Sequence, residues 1–294
     1  MMAAVSRRMV LGSGVALASL AACEPFPDYE PRNASSTVSP KSSGPANGSL
    51  LLTGGGNSNW QFRQAAVALS RAADNGRGRW VYISTASGGD MDRSHAGLYV
   101  PPWDRESWII LNALDRKVAD SDGFVAALRS ATAVHFGGGH AGRLVDVYAG
   151  TAAEREFQRV LDRGGLISGS SAGSLIQASY LVRGESAGKV DVAMSPGHER
   201  GFGYIKNVAV DVHVVARGYQ NDLAKVIAAH PGLLGIGINE DAAVIVRRNT
   251  MTVIGYGGVL ITDGEVHDGR PWYVIERGTQ FDLASWSVLP AAPG

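Results

Sequence analysis

The feature that most constrains the fold is a repeated order of short apolar run, glycine-rich turn and helical segment. The apolar runs have the length of buried strands and are too short for typical helices. Glycine-rich turns follow several of them directly, as is common where a strand ends. The runs lie at residues 49–53, 80–84, 133–136 and 165–168. Helical spacing of apolar residues separates them, for example from 60 to 73 and from 151 to 163.

This alternation of strands and helices predicts an α/β domain. We expect a doubly wound, mostly parallel sheet with helices on both faces. Ligands in such sheets bind beyond the carboxyl ends of the strands, which is where the glycine turns collect. After residue 240 the pattern changes to short strand-like runs joined by tight turns. These runs predict a C-terminal antiparallel extension that packs on the same domain.

Residues 1–22 have the composition of an export signal. Arg7 and Arg8 precede an uncharged apolar run that is too short to span a membrane as a helix. The start resembles a twin-arginine signal, and residues 20–23 resemble the lipobox of bacterial lipoproteins. Cys23 is the single cysteine and cannot close an intramolecular disulfide. A small residue at an ordinary cleavage site is the alternative. We expect an exported protein that is anchored at the cell envelope by lipid on Cys23.

Residues 23–48, which begin with that cysteine, are predicted to form a flexible tether. They are rich in Pro, Ser, Asn and Gly and show no apolar period. A folded domain at residues 49–294 would follow. The chain has 27 basic and 27 acidic residues, so nothing in its charge favours nucleic acid or an anionic membrane surface. The expected membrane contact is therefore the lipid anchor alone. The oligomeric state stays open, a homodimer included.

Residues 169–173 read Gly-Ser-Ser-Ala-Gly and lie between an apolar strand and an apolar helical start. A sharp turn of this kind exposes its central residue, Ser171, in a strained conformation and needs small neighbours. The N–H of Ala172 would lie at a helix start, where it can stabilise an oxyanion, and residues 137–139 could supply a second donor. A plain connecting turn or a phosphate loop is the alternative. No Walker lysine or G-x-G-x-x-G supports a nucleotide site.

The motifs together resemble the cyanophycinase and dipeptidase E family of serine peptidases. Residues 164–174 are similar to its nucleophile motif, and residues 52–56 and 136–139 match its two earlier glycine turns. Residues 211–213 and 235–241 follow in the family's order. The resemblance runs from about residue 50 to 246. It implies a fold akin to class I glutamine amidotransferases, with serine in place of their cysteine, and it implies no metal or organic cofactor.

The resemblance also implies a set of catalytic roles. Its catalytic histidine corresponds to His213, which would serve as base and then acid for Ser171. Glu185 is the preferred acid to orient His213, and Glu240 is the alternative. Asp211 is a further possibility. Ala172 and Gly138 would supply the oxyanion-hole N–H groups.

Several pocket positions depart from the family pattern. Val212 and Ala141 replace a Gln at two places, whereas Arg217 is retained from an arginine-rich segment. Arg217, Asp211 and His140 are therefore the candidate substrate contacts. We expect hydrolysis of amide or isopeptide bonds in Asp-containing peptides, which include cyanophycin, a polyaspartate that carries arginines on its β-carboxyls. A dipeptidase for N-terminal Asp or isoaspartyl peptides and a non-catalytic lipid-anchored binding protein are the alternatives.

Overall fold

The computed structural model describes residues 42–56, 60–73, 78–89 and 108–290. The predicted signal at 1–22, Cys23 and most of the tether lie outside the described residues. The expected domain start at residue 49 is too late. Ser42 is fully buried, Ser43 forms an antiparallel bridge with Lys206, and the Trp286 indole donates a hydrogen bond to the Ser42 hydroxyl. Residues 42–48 therefore pack on the domain. Their serine hydroxyls and backbone form hydrogen bonds with residues far along the chain, which composition alone does not predict.

The described residues form two sheets. The larger has nine strands in the order β14-β13-β10-β9-β1-β5-β4-β2-β3, and the smaller has five in the order β12-β11-β8-β7-β6. The strands are β1 Ser49–Thr53, β2 Trp80–Ile83, β3 Trp108–Leu111, β4 Ala133–Phe136, β5 Leu166–Ser170, β6 Ala178–Leu181, β7 Ile205–Val212, β8 Leu234–Ile238, β9 Ala242–Arg247, β10 Thr250–Gly255, β11 Val259–Thr262, β12 Tyr273–Ile275, β13 Gln280–Asp282 and β14 Ser287–Val288.

The helices of the described residues are α1 Trp60–Ala73, α2 Arg116–Ala119, α3 Asp122–Arg129, α4 Ala141–Tyr148, α5 Ala152–Asp162, α6 Ala172–Leu175 and α7 Asp222–Ala229, with a short 3-10 turn at Thr85–Ser87. Side-chain capping marks the start of three of them. Asp115, Ser121 and Thr151 accept hydrogen bonds from the first-turn N–H groups of α2, α3 and α5. No helix among these has the length and apolar content needed to cross a bilayer.

The parallel part of the large sheet comprises β1 to β5. β1 pairs with β5, β5 with β4, β4 with β2 and β2 with β3, all in parallel. Side chains alternate between the two faces of each strand, so Leu51 packs with α1, whereas Leu50 and Leu52 face the opposite side. There, Leu144 of α4 and Phe157 of α5 join the same core. The predicted α/β class, with helices on both faces of a parallel sheet, is confirmed.

The C-terminal strands are antiparallel, as expected, but they divide between the two sheets. β9, β10, β13 and β14 extend the large sheet beyond β1, whereas β11 and β12 extend the small one beyond β8. The small sheet itself was not predicted. Its parallel strands β6, β7 and β8 pack one face into the main core and the other against α7. The carboxyl ends of β1, β4, β5 and β7 lead into the segments that form the candidate active site.

Candidate active site

Ser171 lies at a sharp turn between β5 and α6. Its backbone has φ 53° and ψ −117°, a conformation that a residue with a side chain rarely adopts. The turn is tight on both sides: a Cβ on Gly169 would collide with the carbonyl oxygen of Gly173, and a Cβ on Gly173 with that of Phe136. Small residues are therefore required at both positions. The strain is concentrated at the one residue whose hydroxyl projects from the turn.

His213 follows the last residue of β7 and faces Ser171. Its Nε2 lies 2.9 Å from the Ser171 Oγ, across 42 residues of sequence. His213 also has a positive φ, of 56°, and its N–H donates to the Gly54 carbonyl at 3.0 Å. The ring packs on Gly55, where a Cβ would collide with it. The first glycine turn thus fixes both the backbone and the ring plane of His213.

Glu240 completes the hydrogen-bonded chain. Its Oε1 lies 2.6 Å from His213 Nδ1, and a Cβ on Gly56 would lie only 2.8 Å from its Oε2. The structure thus brings the alternative acid, Glu240, to His213 and does not place the preferred acid, Glu185, there. Glu185 instead follows β6, where its backbone packs on Gly142 of α4. Glu240 reaches His213 because β9 pairs antiparallel with β1, which brings the β8–β9 turn beside residues 54–56.

Burial and three charged neighbours set the protonation of His213. Burial lowers its pKa below the ordinary value, the hydrogen bond to Glu240 opposes that shift, and the nearby charges of Arg217 and Arg183 add to it. The net direction is downward. His213 therefore favours its neutral form near pH 7, and a neutral imidazole can accept the Ser171 proton.

Two candidate donors for an oxyanion lie beside Ser171. Gly138 is close enough that a Cβ there would lie 3.4 Å from the Ser171 Cβ. Ala172 follows Ser171 and begins α6. Gly138 belongs to the turn after β4, a neighbour of β5 in the sheet. The structure thus brings Gly138 and Ala172 together around Ser171.

A cavity of about 240 Å³ opens at Ser171. Arg217 and His140, two of the expected substrate contacts, line it, and so does Arg183. Val212 and Ala141 line an apolar part of the cavity wall. These are the two positions at which Gln is expected from the family pattern. Leu175, Val190, Gly139 and Gly188 complete the lining. The cavity thus combines guanidinium and imidazole groups with apolar surface.

Asp211, the third expected substrate contact, does not line the cavity. It is fully buried, and its two carboxylate oxygens accept hydrogen bonds from Arg183 Nε and Nη2 at 2.9 and 2.8 Å. One of those oxygens also accepts the N–H of Val212. Because the Asp211 carboxylate is occupied by Arg183 and the Val212 N–H inside the protein, the structure does not place it among the groups that could contact a substrate in the cavity.

Arg183 is a site residue that the sequence argument missed. It is only 2% exposed, and Nη2 also donates to Asp222 at 2.7 Å. Nη1 donates to the Asp191 carbonyl at 2.8 Å, and the guanidinium carbon lies 3.5 Å from the centre of the Tyr219 ring. This arginine joins the cavity wall to the start of α7. The one feature of the sequence that could have indicated Arg183 is its place as a charged residue directly after an apolar run.

No group of three or more His, Cys, Asp or Glu side chains in the described part of the chain is arranged to hold a metal ion. The polar groups around Ser171 form a serine, histidine and carboxylate chain instead, which is suited to nucleophilic catalysis.

The comparisons agree with this geometry. The model of peptidase family S51 matches residues 50–254, which is most of the chain. The chain belongs to peptidase family S51. Cyanophycinases from Nostoc sp. and Trichormus variabilis are each 31% identical to it over 201 residues, covering 62% of this chain and 67% of their own. The S51 assignment makes the protein a serine-type peptidase and confirms the family resemblance.

A solved structure shares the S51 fold. The crystal structure of a peptidase from an acI-B1 Actinobacterium has a TM-score of 0.62 and 22% identity, and the match covers 80% of this chain and 97% of that one. At this identity the likeness supports the α/β fold alone.

Proposed function

We propose that this S51 peptidase hydrolyses amide bonds through an acyl-enzyme on Ser171. The observation that carries the proposal is the continuous hydrogen-bonded chain from Ser171 Oγ through His213 to Glu240, with heavy-atom distances of 2.9 and 2.6 Å. Both distances are within the range for proton transfer and for orienting the base. The strained backbone at Ser171 and His213 supports the same interpretation, because such strain accumulates at functional sites.

In the first half of the reaction, Ser171 Oγ attacks the scissile carbonyl carbon while its proton passes to His213 Nε2. The N–H groups of Ala172 and Gly138 stabilise the oxyanion. The C–N bond then breaks, and His213 returns the proton to the departing amine. In the second half, His213 takes a proton from water as the water oxygen attacks the ester carbon. The bond between that carbon and Ser171 Oγ then breaks, His213 returns the proton to Oγ, and the carboxylic acid product is released. Glu240 holds the ring and stabilises its charged form.

Arg217 is the basis for the proposed substrate class. Its exposed guanidinium lines the cavity near Ser171, and such a group pairs well with a carboxylate. We therefore propose peptides with an Asp carboxylate close to the scissile bond. The relatives named cyanophycinases support a β-Asp-Arg linkage as one member of this class.

A second candidate substrate is a small peptide with N-terminal Asp or isoaspartate. The apolar surface of Val212 and Ala141 favours it, since those positions offer no amide to a polar polymer. Such a peptide would place its carboxylate on Arg217 and a small apolar group against these side chains.

Export and attachment through lipid on Cys23 belong to the proposal as well. Globomycin should then cause the precursor to accumulate, and an unaffected mature form would contradict lipidation.

A substrate panel tests the proposed function. It consists of cyanophycin, β-Asp-Arg, Asp-Leu and isoaspartyl-Leu, with products identified by mass spectrometry. We expect hydrolysis of at least one Asp peptide, and loss of that activity in Ser171→Ala by roughly 10⁴-fold or more, with little change in melting temperature. Absence of hydrolysis of every peptide by the wild type would favour the non-catalytic binding protein. A Ser171→Ala variant that retains wild-type turnover would remove Ser171 from the mechanism.

A further inference from the structure

Ser174 lies near the carboxyl ends of β1 and β5. These two strands separate at this point and lead into the two turns that position His213 and Ser171. β1 and β5 run in parallel, with Thr53 opposite Ser170 as their last paired residues. Beyond this pair, β1 enters the 54–56 turn that contacts His213, and β5 enters the turn at Ser171. Because the two strands separate here, the regular ladder between them no longer fixes the distance between the two turns.

The Ser174 side chain bridges this gap. Its hydroxyl accepts the N–H of Thr53 at 3.0 Å and lies 2.8 Å from the Thr53 carbonyl oxygen and 2.9 Å from that of Gly169. The Thr53 hydroxyl adds a second link by donating to the same Gly169 carbonyl at 3.2 Å. Ser174 is fully buried, so its hydroxyl serves the backbone of the two strands and does not face the cavity.

The bridge connects the two groups that must meet for catalysis. On one side, the Ser174 N–H donates to the carbonyl of Ser171 itself at 2.8 Å. On the other side, Thr53 precedes Gly54, whose carbonyl accepts the N–H of His213 at 3.0 Å. Ser174 therefore contacts the backbone of Ser171 directly, and only Gly54 lies between Thr53 and the backbone of His213.

We infer that Ser174 is a positioning residue that holds Ser171 at hydrogen-bond distance from His213. The inference rests on the proposed function, since it assigns a role only if those two residues react together. Displacement of a reacting group by about 1 Å can reduce a rate by roughly 100-fold. A hydroxyl that fixes the relative position of two strand ends is well placed to prevent such a displacement.

The test compares Ser174→Ala with Ser168→Ala in the full chain. Ser168 is also a buried serine, and it lies in β5 itself, but its hydroxyl lies 2.9 Å from His135 Nδ1 and so joins β5 to β4 instead of β1. Both variants lose one buried hydroxyl, which makes their losses of stability comparable. The readouts are the rate of Ser171 labelling by a fluorophosphonate, kcat and KM on the best panel peptide, and the melting temperature.

We expect Ser174→Ala to slow labelling and kcat by roughly 10- to 100-fold with little change in KM. Ser168→Ala should keep the wild-type labelling rate. Labelling of Ser174→Ala at the wild-type rate, or an equal loss in both variants, would overturn the inference.

If Ser174→Ala does not fold, Thr53→Val replaces it as the test. This variant removes the hydrogen bond from the Thr53 hydroxyl to the Gly169 carbonyl and should slow labelling several-fold. A wild-type labelling rate in Thr53→Val would overturn the inference. A wild-type protein that is not labelled would contradict the proposed function instead.

Discussion

The two ends of the cavity use polar side chains in opposite ways. At the catalytic end, Ser171, His213 and Glu240 bind one another, so their geometry is set before any ligand arrives. At the other end, Arg183 is paired with the buried Asp211 and the partly buried Asp222, whereas Arg217 is exposed and has no carboxylate within ion-pair distance among the described residues. The catalytic groups are therefore held in place by one another, whereas Arg217 is held by no carboxylate of the described part of the chain, which is why we propose it as the group that binds a substrate carboxylate.

The largest expected effect is at the catalytic end. Glu240→Gln keeps the shape of the side chain but removes the charge that orients His213, and we expect kcat to fall by roughly 10² to 10⁴-fold. Glu185→Gln is the matched control and should keep wild-type kcat. Steady-state kinetics on the best panel peptide measure both variants. An equal loss of kcat in both variants, or a loss only in Glu185→Gln, would contradict Glu240 as the acid and favour Glu185.

Arg183→Met tests whether the saturated arginine is structural. It leaves the carboxylate of Asp211 buried and unpaired, and we expect the free energy of unfolding to fall by about 3–5 kcal/mol. Urea unfolding followed by circular dichroism measures the change. Arg129→Met, which removes the exposed partner of Asp122, is the control and should leave the midpoint nearly unchanged. Unaltered stability of Arg183→Met would show that the network is not required.

Arg217→Ala tests the available arginine. We expect KM for Asp peptides to rise by roughly 10- to 100-fold, because a hydrogen bond to a charged group contributes about 1.5–3 kcal/mol. The effect on kcat should be small. Asn peptides of the same sequence lack the carboxylate, so the variant should lose its preference for Asp over Asn. A preference that survives the substitution would place recognition elsewhere.

The smallest expected effect is on the pH profile. Since neutral His213 is the base, kcat/KM should be full at neutral pH and be lost as pH falls through a pKa below about 6.5. Removal of the Arg217 charge should raise that pKa and shift the acid limb to higher pH. Loss of the Glu240 charge should lower it and shift the limb the other way. Shifts in the same direction for both variants would contradict the assigned electrostatics.

The sequence predicted the elements whose signals are local. The residues from 49 to 53 and from 133 to 136 form strands where their apolar runs lie, and the turn at Ser171 follows from small residues that are adjacent in the chain. Helix α1 has the predicted bounds, Trp60–Ala73. In each case the information lies within a few residues, where pattern and sterics suffice.

The features that sequence reasoning missed depend on long-range pairing. The family resemblance favoured Glu185, but the position of Glu240 depends on the antiparallel pairing of β9 with β1. Arg183 appeared as an ordinary charge because its partners, Asp211 and Asp222, lie 28 and 39 residues further along the chain. The small sheet escaped prediction for the same reason, since strand runs alone do not specify which strands pair.

The most direct test of the central claim is peptide mapping after reaction of the wild-type protein with a fluorophosphonate. We predict one adduct, on the peptide that contains Ser171, whose formation slows as the pH falls and is abolished in Ser171→Ala. A protein that hydrolyses an Asp peptide while Ser171 stays unmodified, or an adduct on a different serine, would contradict the assignment of Ser171 as the nucleophile.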